Sequence, residues 1–257
     1  MKHSFIALPL LFASLGALSQ DQGGTIVVLI FSQNAMVIAA DSRTSLGHGT
    51  YDDSGCKIAE LKGKYVVAGT GRAGYKGGWD AIAVAQQLRN KDSVKNIATN
   101  WAKELAALNS RDAQAGKVNP ENLARGSIYS AIVAGFEGGE PILYKADVVK
   151  VLAKHGPPSY RADVGLLPIQ DGKMLPLGTT DIAKEFIDQK TPRSKQWGSE
   201  FDLTKPWNDI MVPMARKVIA LTAQYSTDKG RVGGETDVIQ VDALGVHWLA
   251  RKKLCRD

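Results

Sequence analysis

Two apolar runs lie close together without the alternation of a half-exposed strand. Thr25 to Phe31 reads Thr-Ile-Val-Val-Leu-Ile-Phe, and Ala35 to Ala40 reads Ala-Met-Val-Ile-Ala-Ala. Ser32, Gln33 and Asn34 separate them, which predicts a tight hairpin. Strands with no polar face must be covered on both sides. A third run, Tyr65 to Ala68, follows the turn Lys62-Gly63-Lys64 and ends in Gly69-Thr70-Gly71. The period then changes. Trp79, Ile82, Ala85 and Leu88 recur at three-residue steps, and Ile97, Trp101, Leu105 and Leu108 at four, four and three. Both stripes predict helices packed on a core. Residues 109 to 126, punctuated by Asn, Gly and Pro, read as a loop, and strands resume at Ile128–Phe136 and Pro141–Lys145. Residues 154 to 176 show no period. A short helix is expected over Asp181–Ile187 and a longer one through Met211, Met214, Val218, Leu221 and Tyr225. Strands around Thr236–Val241 and Val246–Ala250 close the chain. The order of strands, two helices, strands, two helices, strands predicts an α+β fold: two sheets packed together with helix pairs outside. No internal repeat or domain boundary is visible, so residues 25–257 read as one domain.

The first residues follow a different pattern. Lys2 and His3 precede an apolar stretch from Phe5 to Leu18, and Ala17-Leu18-Ser19 places small residues where a signal peptidase reads. Residues 1–19 therefore read as a signal peptide, too short for a stable membrane span, with an exported (periplasmic or secreted) product. The alternatives are a start assigned too far upstream, leaving a cytoplasmic protein, or a buried N-terminal helix. No later segment approaches membrane-spanning length. With 44% hydrophobic residues the chain can build a substantial core. The net charge of +6 is scattered, and its densest cluster, Arg251-Lys252-Lys253, has no aromatic interleaving. That run reads as a solvated tail, not a nucleic-acid site. Cys56 and Cys255 would allow one disulfide in an oxidising compartment, and two separate thiols are equally open. The four histidines show no metal-ligand spacing, and there is no glycine-rich phosphate loop, so neither metal nor cofactor is expected.

Candidate chemistry collects at strand ends. Asp41 and Arg43 end an apolar strand, where a charge is costly unless partnered. If Thr25 became the N-terminus, its hydroxyl would sit beside a free α-amine. Such an amine has an ordinary pKa of roughly 7.7–8.0 and can act as base for its own hydroxyl. A Lys57 ammonium nearby would lower that value further, Asp41 would hold Lys57, and the Gly71 N–H could stabilise an oxyanion.

These residues carry a resemblance. Gly24-Thr25, Val37-Ile38-Ala39-Ala40-Asp41-Ser42-Arg43, Lys57 and Ala68-Gly69-Thr70-Gly71 resemble the β-type subunits of the proteasome, within the N-terminal-nucleophile (Ntn) hydrolases. Asp41, Lys57 and Gly71 follow Thr25 by 16, 32 and 46 residues, the register of that family's catalytic Asp, Lys and oxyanion Gly. The likeness is strong over residues 24 to 75 and weaker beyond. It implies a four-layer αββα sandwich of two antiparallel sheets flanked by helix pairs. It further implies threonine-type endopeptidase activity, self-processing at Gly24-Thr25 with a short propeptide over 20–24, and possible assembly into a homo-oligomeric ring. Thr179, in Gly178-Thr179-Thr180, stands in the place of a family Ser, although it reads first as the N-cap of the following helix. Asp228, ahead of Gly233-Gly234, stands near the place of a second Asp. Residues 150 to 176 read as an insertion. Most bacterial relatives lack an export signal, so this chain would be an exported variant. Two alternatives remain: a small-substrate Ntn amidohydrolase, against which the Asp41 and Lys57 register speaks, and an inactive scaffold or binding protein.

The resemblance assigns substrate binding to Thr44, Ser45, Gly55, Gly69 and Ala73. Gly55, Gly69 and Ala73 carry only a hydrogen or a methyl, and no acidic residue stands among the five, so a roomy neutral pocket is expected. Burying a large apolar side chain there contributes about 1.5–3 kcal/mol. Peptides should thus be cut faster after Phe, Tyr or Leu than after Asp or Glu. A panel varying only the residue before the cut tests this, and a preference for acidic residues would refute the pocket assignment.

Overall fold

The computed structural model describes residues 25–47, 50–71, 79–117, 127–202, 204–227 and 230–255. The expected signal peptide (1–19) and propeptide (20–24), together with Ala73 and Asp228, lie outside these residues. The described residues form a mixed α+β structure of two five-stranded antiparallel sheets, a small hairpin and five helices.

The first sheet contains β1 (Ile26–Phe31), β2 (Ala35–Ala40), β10 (Met174–Gly178), β11 (Asp237–Asp242) and β12 (Gly245–Ala250). Their order is β10-β1-β2-β11-β12. The second runs β5 (Ile58–Leu61), β6 (Tyr65–Gly71), β7 (Ser127–Glu137), β8 (Glu140–Val151) and β9 (Ser159–Leu166), in sequence order. Between them in the chain, β3 (Thr44–Gly47) and β4 (Thr50–Asp52) pair as a separate hairpin.

The continuous apolarity of β1 and β2 follows from two cores meeting at one sheet. Successive side chains of a strand point to opposite faces. Ile26, Val28 and Ile30 face one cluster with Val37 and Ala39, while Val27, Leu29 and Phe31 face another with Met36 and Ile38. The first cluster is completed by α3 (Asp181–Asp188), α4 (Pro192–Ser199) and α5 (Trp207–Tyr225), through residues such as Phe186, Trp197 and Met211. The second is completed by the other sheet, through Val66, Ala68, Ile132 and Ala134. The odd partners of those residues, Tyr65, Val67, Ala131 and Val133, turn to a third cluster with α1 (Ala81–Gln87) and α2 (Val94–Gln114). Both sheets are thus covered on both faces.

Several boundaries differ from the sequence expectation. Helix α2 continues through Gln114, past the expected loop start at 109, because Asn109 and Ala113 extend its buried stripe. Its start is capped by Ser93 Oγ, which accepts from the Asn96 N–H at 3.2 Å. The segment expected to be an insertion supplies β9, the edge strand of the second sheet, and Tyr160 packs into the α2 core. β10 contains Pro176 and is an edge strand, the place where a missing N–H is tolerated. Helix α4, the polar stretch Pro-Arg-Ser-Lys-Gln-Trp-Gly-Ser, is set by a capping box between Thr191 and Ser194 instead of an apolar stripe.

Cys56 and Cys255 are joined in a disulfide with Cα atoms 5.6 Å apart, which decides between the two options left open by sequence. Lys253–Cys255 forms a short 3-10 turn. No helix among the described residues is long and apolar enough to cross a membrane.

Trp101 is the largest fully buried side chain of the α1–α2 core, and its Nε1–H donates to Ala81 O at 2.8 Å, tying the two helices together. Trp101→Ala should destabilise the fold by about 3–5 kcal/mol, from lost burial and the cavity left behind. Denaturant unfolding measures this, and a loss below about 1 kcal/mol would show that the site collapses or is not packed as described.

Candidate active site

The register of the strands brings their polar ends to one place. Thr25 immediately precedes β1, Asp41 follows β2, and Thr179 follows β10, whose Gly178 is paired with Ile26. Asp237 opens β11 opposite Ala40. From the facing sheet, Lys57 immediately precedes β5 and Gly71 ends β6. Thr25, Asp41 and Lys57 are all buried, with at most 2% of their surface exposed.

Lys57 Nζ donates to Thr25 Oγ1 and, at 3.0 Å, to Arg43 O. Thus the two sheets meet through an ammonium and a hydroxyl. Asp41 plays a different part from the direct clamp expected of it. Its Oδ1 accepts from the Ile26 N–H at 3.0 Å, and its Oδ2 from the N–H groups of Gly233 (3.1 Å) and Arg43 (3.2 Å). It fastens the backbone around Thr25 and acts on Lys57 through charge. Burial pushes the Asp41 carboxyl up to about 6, against the opposing pull of Lys57 and the three N–H groups. Burial likewise holds the Lys57 ammonium below the usual lysine range, while Asp41 and Asp80 act to raise it and Lys252 to lower it.

Two glycines are required by close approach. Gly71 has φ +100°, and a Cβ there would stand 2.4 Å from Ile128 O. Gly178 has φ +87°, and a Cβ there would stand 2.0 Å from Thr25 O. The chain at Thr25 is held from that side as well, since the Thr179 N–H donates to Thr25 O at 2.9 Å. Thr179 is not the N-cap of α3. Thr180 occupies that place and makes no side-chain cap bond. The buried Thr179 Oγ1 has no hydrogen-bond partner among the described residues.

The expected pocket residues are placed in part. Thr44 and Ser45 lie on β3, and Gly69 lies within β6, its N–H donating to Lys57 O at 2.9 Å. Gly55 does not open space. A Cβ there would meet Thr44 Oγ1 at 2.5 Å and Ser42 O at 2.8 Å, so the missing side chain permits close packing beside Lys57.

Arg43, expected to need a partner, has one, and two further residues, Asp237 and Lys252, were not anticipated. Arg43 forks onto Asp53 through Nε (2.6 Å) and Nη2 (2.7 Å), reaches Gly230 O at 3.1 Å, and stacks over Tyr51, 5.4 Å from the ring centre. It clamps β4 and the segment before β11 around the site. Asp237 and Lys252 are both buried and paired at 3.4 Å. Asp237 was detectable as a charge opening an apolar strand, like Asp41 closing one. Lys252 gave no such sign, since it stands in a run of three basic residues. No group of three or more His, Cys, Asp or Glu gathers among the described residues as a cation site would require.

A scan against protein-family models and a search of curated proteins returned no match for this chain.

A buried hydroxyl against an ammonium that burial disfavours is an arrangement suited to proton transfer and nucleophile activation. The Asp41 value predicts a pH effect of definite sign. Because the folded value of about 6 lies above the ordinary 3.8, the protonated carboxyl favours the fold. This contribution is complete below the unfolded value and is lost as pH rises through the folded one. Wild type should therefore lose about 2 kcal/mol relative to Asp41→Asn between about pH 4 and about pH 7. Denaturant midpoints at the two pH values measure it, and a difference independent of pH would contradict the raised value.

Proposed function

We propose that the chain is a proteasome-like threonine peptidase with the αββα Ntn-hydrolase fold, exported and matured by cutting its own Gly24-Thr25 bond. The observation that carries this reading is the buried Lys57–Thr25 hydrogen bond, with Asp41 fastening the backbone on the far side of the threonine. The packing of helices outside two facing sheets agrees with it.

In this reading Thr25 Oγ adds to the Gly24 carbonyl and its proton passes to a neighbouring basic group. The Gly24–Thr25 C–N bond breaks with return of a proton to the Thr25 nitrogen, leaving an ester. Water then hydrolyses the ester, releasing the Gly24 carboxylate and freeing Thr25 Oγ and its α-amine. The same hydroxyl next attacks a substrate peptide carbonyl, with the α-amine as base and the Gly71 N–H as donor to the oxyanion. Lys57, beside the hydroxyl, disfavours a second positive charge on the amine and keeps it basic but uncharged near neutral pH. The unpartnered Thr179 hydroxyl is available to the freed amine.

Intact mass spectrometry of purified protein should show a chain beginning at Thr25, whereas Thr25→Ala should keep residues upstream of it. Lys57→Ala should fold, fail to process, and lose about a hundredfold or more in turnover of fluorogenic peptides. A wild-type chain that stably retains residues 20–24, or near-normal turnover by Lys57→Ala, would overturn the reading.

A further inference from the structure

The basic run Arg251-Lys252-Lys253 is not the solvated tail that its composition suggests. Lys252 is 6% exposed, and three contacts place it within the site. Its backbone N–H donates to Asp237 Oδ1 at 2.8 Å, and its Nζ lies 3.4 Å from Asp237 Oδ2. The same Nζ donates to Gly55 O. Gly55 in turn packs against the catalytic candidate, since a Cβ on it would lie 3.5 Å from Lys57 Cε. Between Gly55 and Lys57 stands Cys56, whose disulfide to Cys255 fixes the tail three residues beyond Lys252. A second buried ion pair, Asp237–Lys252, thus flanks the first, with Asp237 directly opposite Ala40, the neighbour of Asp41.

We propose that Lys252, delivered by the disulfide-anchored C-terminal segment, is a positioning residue for Lys57. It holds the carbonyl of Gly55, the glycine that packs beside the Lys57 stem, and it presents a second positive charge that limits how tightly Lys57 keeps its proton. The strand order brings the end of β12 to this level, with Ala250 paired to Val238, and the disulfide then ties the tail beside Lys57. A solvated lysine would neither be buried nor meet both a carboxylate and the backbone beside Lys57, because burying an ammonium is unfavourable without such partners.

The charges facing these two lysines come from several elements. Lys57 is faced by Asp41 after β2, Asp80 before α1 and Lys252 after β12. Lys252 is faced by Asp237, and by Asp52 and Asp53 at the end of β4, whose carboxyls feel its charge. Removing the Lys252 charge leaves the negative groups around Lys57 unopposed. Lys57 then holds its proton to higher pH, and the Thr25 amine, sharing the same field, shifts in the same direction.

This role takes its catalytic meaning from the threonine-hydrolase reading, but the coupling of the two lysines can be measured without turnover. The full chain is labelled with 13C at lysine Cε, and the Lys57 signal is assigned by its loss in Lys57→Arg. In Lys252→Gln the Lys57 titration midpoint should rise by about half a pH unit or more. Lys252→Arg should bring it back towards wild type, and the kcat/KM profile for a fluorogenic peptide should move to higher pH in parallel. A folded Lys252→Gln protein with lowered Tm and an unmoved Lys57 midpoint would overturn the proposal, leaving Lys252 a structural residue only. Should Lys252→Gln not fold, Asp237→Asn/Lys252→Met is compared with Asp237→Asn alone, and a Lys57 midpoint no higher in the double variant overturns the proposal. A shifted midpoint in a protein with no peptide hydrolysis in any variant would support the coupling while removing the hydrolase reading.

Discussion

A carboxylate wholly removed from water must find its partners in the protein, and Asp41 finds three. The N–H groups of Ile26, Arg43 and Gly233 come from the start of β1, the residue after next, and the segment leading into β11. Strands from distant parts of the chain must therefore end at the same level if that charge is to be satisfied. Gly233 O answers by accepting from the N–H groups of Ser42 and Arg43, closing the crossing from the other side. Thr25 is held in position as a consequence: its neighbour Ile26 is bound by Asp41, and its own carbonyl by Thr179. Removing that carboxylate would leave the Ile26 and Gly233 N–H groups buried without that acceptor, a larger loss than one hydrogen bond is worth.

Electrostatically, the site is a set of groups each kept from its ordinary state by its neighbours. Burial opposes charge on both Asp41 and Lys57, and each partly restores it to the other. Such a pair is poised, in that a small change nearby alters the proton balance of both. The hydroxyl of Thr25 lies against the cationic member of that pair, the ammonium at the end of its long stem.

The doubly covered strands were legible because their pattern has one physical explanation. β1 and β2 contain no polar position to spare for solvent, and the structure gives each face its own core. The position of Asp41 was legible because a charge at the end of such a strand demands a partner, and that of Lys57 through its spacing of 32 residues from Thr25. What was hidden obeys other rules. β9 is an edge strand with mostly exposed side chains, and so lacks the apolar run that marks β6 or β7. α4 depends on a cap instead of a stripe. Thr179 carries a residue type favoured at helix starts, and only coordinates show that the cap falls on Thr180. Lys252 could not be told from its exposed neighbour Lys253, because burial of one lysine in a basic run is decided by where the chain end is tied.

That tie has a consequence for the molecule as an object. The disulfide joins residues 199 apart in sequence, so every element from β5 to β12 lies inside one covalent loop and β1 to β4 lie outside it. A single break in any loop between the two cysteines leaves both pieces linked through sulfur, and the strands they carry remain paired across the break. The nicked molecule would run as one species without a reducing agent and as two with it. Closure of this kind separates damage from disassembly.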